Sequence, residues 1–409
     1  MRKILSIIAV LACATACIYP YQPDLDEAPE GVLVVDGNLL IGETSTVQIG
    51  SMSSLWPKKN EGGDIYYYAG LSGSYYFDRS GVYVERVWAE DDAGGVYEGK
   101  FDPEYAGHYT MTPYSIPTEN APTDRKYRLC ILADGLQYVS DWTQPLAAPV
   151  IKNVAFNADD KNVNVLVTLD GGPEATGYVL FSYDEAWRFH AEWYPYDMYD
   201  SDSNTVSERY FTWDRYWCWM TNNPGTQIPV DYSVMTTAEV RDYPVHVFSR
   251  YDNRNHQRYS ILVKARTIDK DTYKFLSHLE ESSQSGDNLF TPNPGEIAGN
   301  LRCETEPDRM VLGFVTVGGS TSFRAYNDSR FLLNRHPNPS SLSYPLAGGN
   351  RDGRFGWQDY YSWGYMPLIE NTKIDYDPEK EGKYGWGPAN CYDCIAAGGK
   401  LDAPDFWEE

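Results

Sequence analysis

Short runs in which apolar and polar residues alternate recur along this chain, and they constrain its fold more than any other feature. "GVYVERVWAED", Gly81–Asp91, puts Val82, Val84 and Arg86 on one side and Tyr83, Glu85 and Val87 on the other. A period of two is the spacing of a strand with two distinct faces. "STVQIG" repeats it at Val47 and Ile49. "KYRLCILADGLQYVSDW" reads as a hairpin turned at Asp134-Gly135, and "GVLVVDGNLL" as a strand run with a turn at Asp36-Gly37. Many short strands punctuated by Gly, Asp and Pro predict a mainly β protein made of two sandwiches of the immunoglobulin or fibronectin-III kind.

The first sandwich is placed at 31–147. "QPLAAPVIKNVAF" then breaks the composition with two prolines and leads into a second strand series, which includes "NVNVLVTLDGG", "TGYVLFSYDEAWRF" and "HQRYSILVKARTID". The second sandwich is placed at 148–409, with Trp187 as its core tryptophan and an aromatic-rich insertion over about 187–245. One short helix is predicted over 269–283, capped by Asp269 and burying Tyr273, Leu276 and Leu279. The rest of the C-terminal region reads as loops.

The N-terminus speaks to compartment. In "MRKILSIIAVLACATAC", Arg2 and Lys3 precede an apolar core from Ile4 to Ala12, too short to span a bilayer, and small residues precede Cys17. Residues 1–16 read as a lipoprotein signal peptide and Cys17 as the lipidated first residue, followed by a proline-rich acidic tether over 17–30. Asp24, Asp26 and Glu27 soon after that cysteine resemble a surface-export signal of lipoproteins, so a lipid-anchored protein facing the cell exterior is the expectation. Net charge is −24, which argues against nucleic acid, whose binding rests on cationic side chains.

Five cysteines besides Cys13 and Cys17 remain, and an exported chain permits disulfides. Cys391 and Cys394 in "CYDCIAAGGKLDAPDFWEE" are the disulfide candidate, tying a terminal loop while Phe406 and Trp407 dock the chain end. Cys130 reads as a buried thiol, and a Cys218–Cys303 bridge is a further candidate. No second C-x-x-C accompanies the motif and the six histidines are scattered, so neither a metal nor a cofactor is expected. "DSDSN", Asp200–Asn204, lacks the glycine and the bidentate acid of a calcium loop and reads as a solvated turn.

No motif of an established catalytic class is present, and no catalytic residue is assigned. Aromatic clustering is the most suggestive functional feature. Trp187–Trp219 holds twelve aromatics in 33 residues and Phe355–Tyr365 six in eleven. Trp193, Tyr196, Trp213, Trp217, Trp357 and Trp363 are the ligand-binding candidates, because aromatic rings on loops beside acids and amides suit a sugar ring or a peptide.

Several fragments in order also carry a family resemblance: "CIYPYQPDLDE", "LVVDGNL", "YVLFSYDEAW", Cys218-Trp219, "RYSILVKARTIDKDTYKFL", "LFTPNPGEIAGNL", "VLGFVTVGG" and "CYDC…GG…PDFW". Together they resemble family 4249 of the domains of unknown function, lipoproteins of Bacteroidota. The chain departs from the family pattern at Val317-Gly318-Gly319-Ser320. The resemblance implies an outer-membrane lipoprotein often encoded beside TonB-dependent receptors, and it implies no activity. The function expected is therefore a non-enzymatic surface lipoprotein that captures a ligand for a TonB-dependent receptor, or lids it, with a glycan or peptide as ligand. A structural or adhesive surface protein is the alternative, and a carboxylate-dependent hydrolase the third reading.

Overall fold

The computed structural model describes residues 32–51, 69–70, 73–74, 82–102, 111–192, 197–208, 214–235, 237–255, 257–284, 299–328, 347–348, 357–370 and 384–407. The signal peptide, Cys17 and the tether lie outside these residues. The protein is mainly β, as its alternating runs predict, and its strands form two sandwiches and a small third lobe.

The first sandwich is built on β1 (Leu33–Leu40) and β2 (Thr44–Ser51). It continues with β3 (Val84–Asp91), β4 (Val96–Glu98), β5 (Lys100–Phe101), β6 (Thr112–Pro117), β7 (Tyr127–Ala133) and β8 (Leu136–Ser140). Val47 and Ile49 are fully buried, as their alternation requires. β7 and β8 form the predicted hairpin, and Asp134 (φ 51°) with Gly135 (φ 74°) supply the two positive φ angles of a tight turn.

Two expectations change here. Asp36-Gly37 is no turn: β1 runs straight through it, paired with β2 on one side. A Cβ on Gly37 would stand 3.0 Å from Val315 and 3.3 Å from Leu129, so the glycine makes room for a closely packed core. In β3 the strict alternation breaks at a bulge between Val84 and Arg86, which brings Val82 and Val87 into the same core.

The second sandwich comprises β9 (Val150–Ala158), β10 (Asn162–Asp170) and β11 (Tyr178–His190). After β12 (Asp197–Asp200) and β13 (Thr205–Glu208), which form a separate hairpin, it resumes. β14 (Trp217–Asn222), β15 (Ile228–Asp231), β16 (Glu239–Ser249) and β17 (Arg258–Thr267) follow. One sheet is ordered β9-β10-β16. In the other, β11 pairs with β17 along most of its length, with β15 near its start and with β14 near its end. Trp187 is buried in the core between them, as predicted.

Helix α1 (Lys270–Gln284) starts where predicted, with the Asp269 carboxylate accepting from the Thr272 N–H at 2.7 Å. Tyr273 and Leu276 pack on Tyr178, Leu180 and Ile268, but Leu279 is 43% exposed. Steps of three residues drift round a 3.6-residue helix, and Phe275 instead makes the second contact, 5.3 Å from Phe314.

Past α1 the chain returns to the first sandwich. β18 (Leu301–Cys303) pairs with β8, and β19 (Val311–Gly318) lies parallel to β1 over its whole length, Leu33 opposite Val311. β20 (Ser320–Asp328) then crosses to pair with β17 in the second sandwich. The predicted division at 147/148 assigns residues 301–318 to the second sandwich, whereas their hydrogen bonds belong to the first. Parallel partners need no proximity in sequence, so strand pattern alone cannot assign them.

The two crossings run side by side. Leu146 N–H donates to Val317 O, Gly319 N–H donates to Leu146 O at 2.9 Å, and a Cβ on Gly318 would stand 2.9 Å from that same carbonyl. The glycine pair that departs from the family pattern is where two backbones touch. Next to this junction, Gln227 donates to Asp36 at 3.1 Å and Arg266 faces Asp36. Burial pushes Asp36 up and Arg266 down to about 10, each partly restored by the other.

Candidate functional site

The third lobe gathers the hairpin β12–β13, α2 (Trp357–Ser362), β21 (Tyr365–Glu370), β22 (Tyr384–Pro388) and α3 (Ala389–Tyr392). Its centre is Trp386, with no exposed surface. Tyr360 stacks on Trp386 at 5.8 Å, Tyr199 meets it edge-on at 5.4 Å, and Trp357 lies tilted at 6.3 Å. Such offset and edge-to-face pairs stabilise beyond the area they bury. Trp357 and Tyr360 sit one helical turn apart, so α2 turns one face to Trp386 and the other away. At the edge of this cluster Tyr361, 5.3 Å from Tyr199, is 46% exposed, and Trp363 after α2 is 53% exposed. Trp363 abuts Tyr360 edge-on at 5.7 Å, and the Tyr392 hydroxyl donates to Gly364 O, which ties the turn after α2 to α3.

The predicted ligand-binding residues therefore part company. Trp357 and Trp363 share this lobe, Trp357 in its packed interior and Trp363 on its rim. Trp217 lies elsewhere, on the outer face of β14, 4.9 Å from His190 and 5.2 Å from the Arg188 guanidinium. Trp193, Tyr196 and Trp213 lie outside the described residues. Sequence reading missed Trp386, whose setting "YGWGP" contains no alternation.

The disulfide candidate is corrected. Cys394 is bonded to Cys218, at a sequence separation of 176 and with Cα atoms 5.6 Å apart, while Cys391 is a free, buried thiol. Cys391 belongs to α3, and the extended backbone of Asp393 (φ −119°, ψ 110°) turns Cys394 away from it into the second core. Burial, with Glu192 nearby, pushes the Cys391 thiol up to about 11. Cys303 lies in the first core and Cys218 in the second, so the two do not meet. Cys130 is a buried thiol, as expected.

Among the described residues, a polar cluster lies buried that no sequence pattern marks. Glu185 projects from β11 into the second core with 3% of its surface exposed. Arg254 binds both its oxygens at 2.9 Å. Asn222 Nδ2 donates at 2.7 Å and the Tyr259 hydroxyl at 2.9 Å. His246 Nε2 lies 3.3 Å away, and its Nδ1 meets the Tyr183 hydroxyl at 2.9 Å. Burial opposes ionisation of Glu185, but the hydrogen bonds from His246, Arg254 and Asn222 outweigh it and hold the carboxyl at about 2. A carboxylate so fully engaged has no lone pair left to take a proton from a substrate.

In Asp200–Asn204, read as a solvated turn, Asp200 accepts from the Asp202 and Ser203 N–H groups and closes the β12–β13 turn. Among the described residues no three His, Cys, Asp or Glu gather as a metal site, and no helix is long and apolar enough to cross a membrane. A polar cleft of about 480 Å³ beside α1 is lined by Asp141, Asp269, His278 and Asn300. Its acids are engaged, Asp269 in the α1 cap and Asp141 with Arg302.

The class that emerges is a two-sandwich β protein carrying an aromatic lobe. A family model described as "Domain of unknown function (DUF4249)" matches residues 18–324, and the chain belongs to that family. The match stops short of α2, β22 and the Cys391–Trp407 segment. No curated protein matches the chain.

Proposed function

We propose that this protein is a non-enzymatic, lipid-anchored outer-membrane surface lipoprotein that captures a ligand for a TonB-dependent transporter, or lids it, through its aromatic lobe. The observation that carries the reading is the rim of Tyr361 and Trp363, held exposed by a fully buried Trp386. Rigid aromatic rings on a packed support lose little entropy on binding and suit stacking on a sugar ring or gripping a peptide. The signal-like N-terminus, Cys17 and the membership of the family agree with it, as does the strongly acidic chain, which disfavours adsorption to anionic lipid. The saturated Glu185 network weighs against the hydrolase reading at that place.

Affinity capture of the anchored protein from detergent-solubilised outer membrane is the test. A barrel protein recovered in stoichiometric amount supports the reading, and its absence sinks the transporter role. Glycan and peptide arrays probed with the wild type and with Trp363→Ala then address the lobe. Unchanged binding removes Trp363 from the site.

A further inference from the structure

The outer face of the β14-β11-β17-β20 sheet is laid out by its register. One row across the strands reads Trp219, Arg188, Arg258, Asp328, the next Thr221, Ala186, Ser260, Tyr326, and Arg324 follows on β20. Arg258 is paired with Asp328 at 2.8 Å. Arg188 and Arg324 have no ion-pair partner among the described residues, in a chain of net charge −24. Arg188 instead lies 4.7 Å over the Trp219 ring, and Arg324 donates to the Ser260 hydroxyl at 3.2 Å. Two cations without a salt bridge, the nearby Asp184 being taken up by Lys264, stand among aromatic rings and form a face suited to an acidic and aromatic segment.

The chain's own end is laid across that face. Lys400 exchanges two backbone hydrogen bonds of 2.8 Å with Trp219 on the edge strand β14. At the far edge, the Tyr326 hydroxyl donates to Phe406 O at 2.7 Å, the Arg324 guanidinium lies 3.5 Å over the Phe406 ring, and Trp407 meets Tyr326 edge-on. Three strand spacings of about 4.8 Å separate those edges, within reach of the five residues between Lys400 and Phe406. The strap reads "KLDAPDFWEE", with four acids and two adjacent aromatics. It is lightly held: Leu401 is 42% and Phe406 39% exposed. Its base is fixed by the Cys218–Cys394 disulfide, so a detached strap stays at high local concentration.

We propose that this sheet face is a docking surface for an acidic, aromatic-bearing peptide segment of a partner protein, with residues 400–407 as a tethered competitor that occupies it in the partner's absence. The inference stands apart from the transporter reading, because the face and the strap lie outside the aromatic lobe.

A fluorescent peptide of sequence KLDAPDFWEE, titrated into full-length protein and followed by anisotropy, tests it. The double variant Phe406→Ala/Trp407→Ala weakens the strap and leaves the sheet intact. It is expected to bind the peptide at least ten-fold more tightly than the wild type, and a further Arg324→Ala is expected to reverse the gain. Equal binding by wild type and double variant overturns the proposal, as does equal binding of a scrambled peptide or indifference to Arg324→Ala. Wild-type dimers formed by strap exchange would overturn the assignment to a partner protein. Hydrogen exchange on the wild type needs no variant. The Trp407 amide, bonded to Pro404 O, is expected to exchange at least a hundred-fold faster than the Cys394 amide, and equal protection overturns a displaceable strap.

Discussion

The two sandwiches are similar in architecture and different in what their interiors hold. The first packs Leu33, Val35, Val47, Ile49, Leu129 and Ile131 into an apolar centre. The second encloses a carboxylate bound by an arginine, an asparagine and a tyrosine, and it bears the disulfide, the strap and the aromatic lobe. A closed apolar core supports, and its outer surfaces need only be soluble. A core with an ion-pair network, and with edge strands taken up by additional segments, displays. The difference places the adaptable chemistry of this chain in and around the second sandwich.

The sharpest way to break this contrast is to open the second sandwich. Cys394→Ser removes a cross-link closing a loop of 176 residues, for which chain entropy sets an upper bound of about 5 kcal/mol. Urea unfolding of the variant should show the second sandwich melting early and the first little changed. A single unshifted transition would contradict the division. Trp386→Ala empties the centre of the lobe and should cost about 3–5 kcal/mol locally, read as protease cleavage within residues 357–392 while both sandwiches resist.

The Glu185 network gives the second sandwich a dependence on acid, and the first has one of its own at Asp91, buried at the end of β3, paired with Arg125 and held below the usual carboxylate value. The Glu185 carboxyl lies below the ordinary value of 4.5, so its contribution is full above that pH and is lost as the pH falls towards about 2. A depression of that size corresponds to about 3 kcal/mol. Glu185→Gln should flatten the stability profile in this window, and a wild-type profile already flat there would remove the network from the account. At the junction, Gly318→Val should cost about 1–3 kcal/mol by pressing on the Leu146 carbonyl, measured as a lowered Tm. Trp363→Ala, on the rim, should change stability by less than about 0.5 kcal/mol while abolishing ligand binding by the lobe.

Much of the fold was legible where one residue's period determines its side. The hairpin at Asp134-Gly135, the Asp269 cap and the buried Trp187 all follow from local pattern. What escaped was set by distant partners. Asp36-Gly37 has the sequence of a turn, yet β2 and β19 hold it extended from both sides. Cys391 and Cys394 are neighbours in sequence, yet the bonding partner stands on β14. Among the candidate binding residues that are described, only Trp357 and Trp363 come together, because aromatic density marks a cluster without saying which rings form its support. Glu185 sits at an inward strand position where pattern calls for an apolar residue. Arg254, His246 and Asn222, which make it tolerable there, come from three other elements.

The pairing of β1 with β19 has a consequence for how the chain comes to be folded. Leu33 finds its neighbour at Val311, so β1 waits until a strand nearly 280 residues further along has been made before its sheet can be completed. Until then β1 offers an open edge, the kind that invites pairing with other chains. The second sandwich lies wholly between the two halves of the first apart from β20, the lobe and the strap, and most of it can form in the interval. Assembly thus proceeds from the middle outwards, and shortening the chain at any point before residue 311 should leave the N-terminal sandwich unfinished and prone to aggregate.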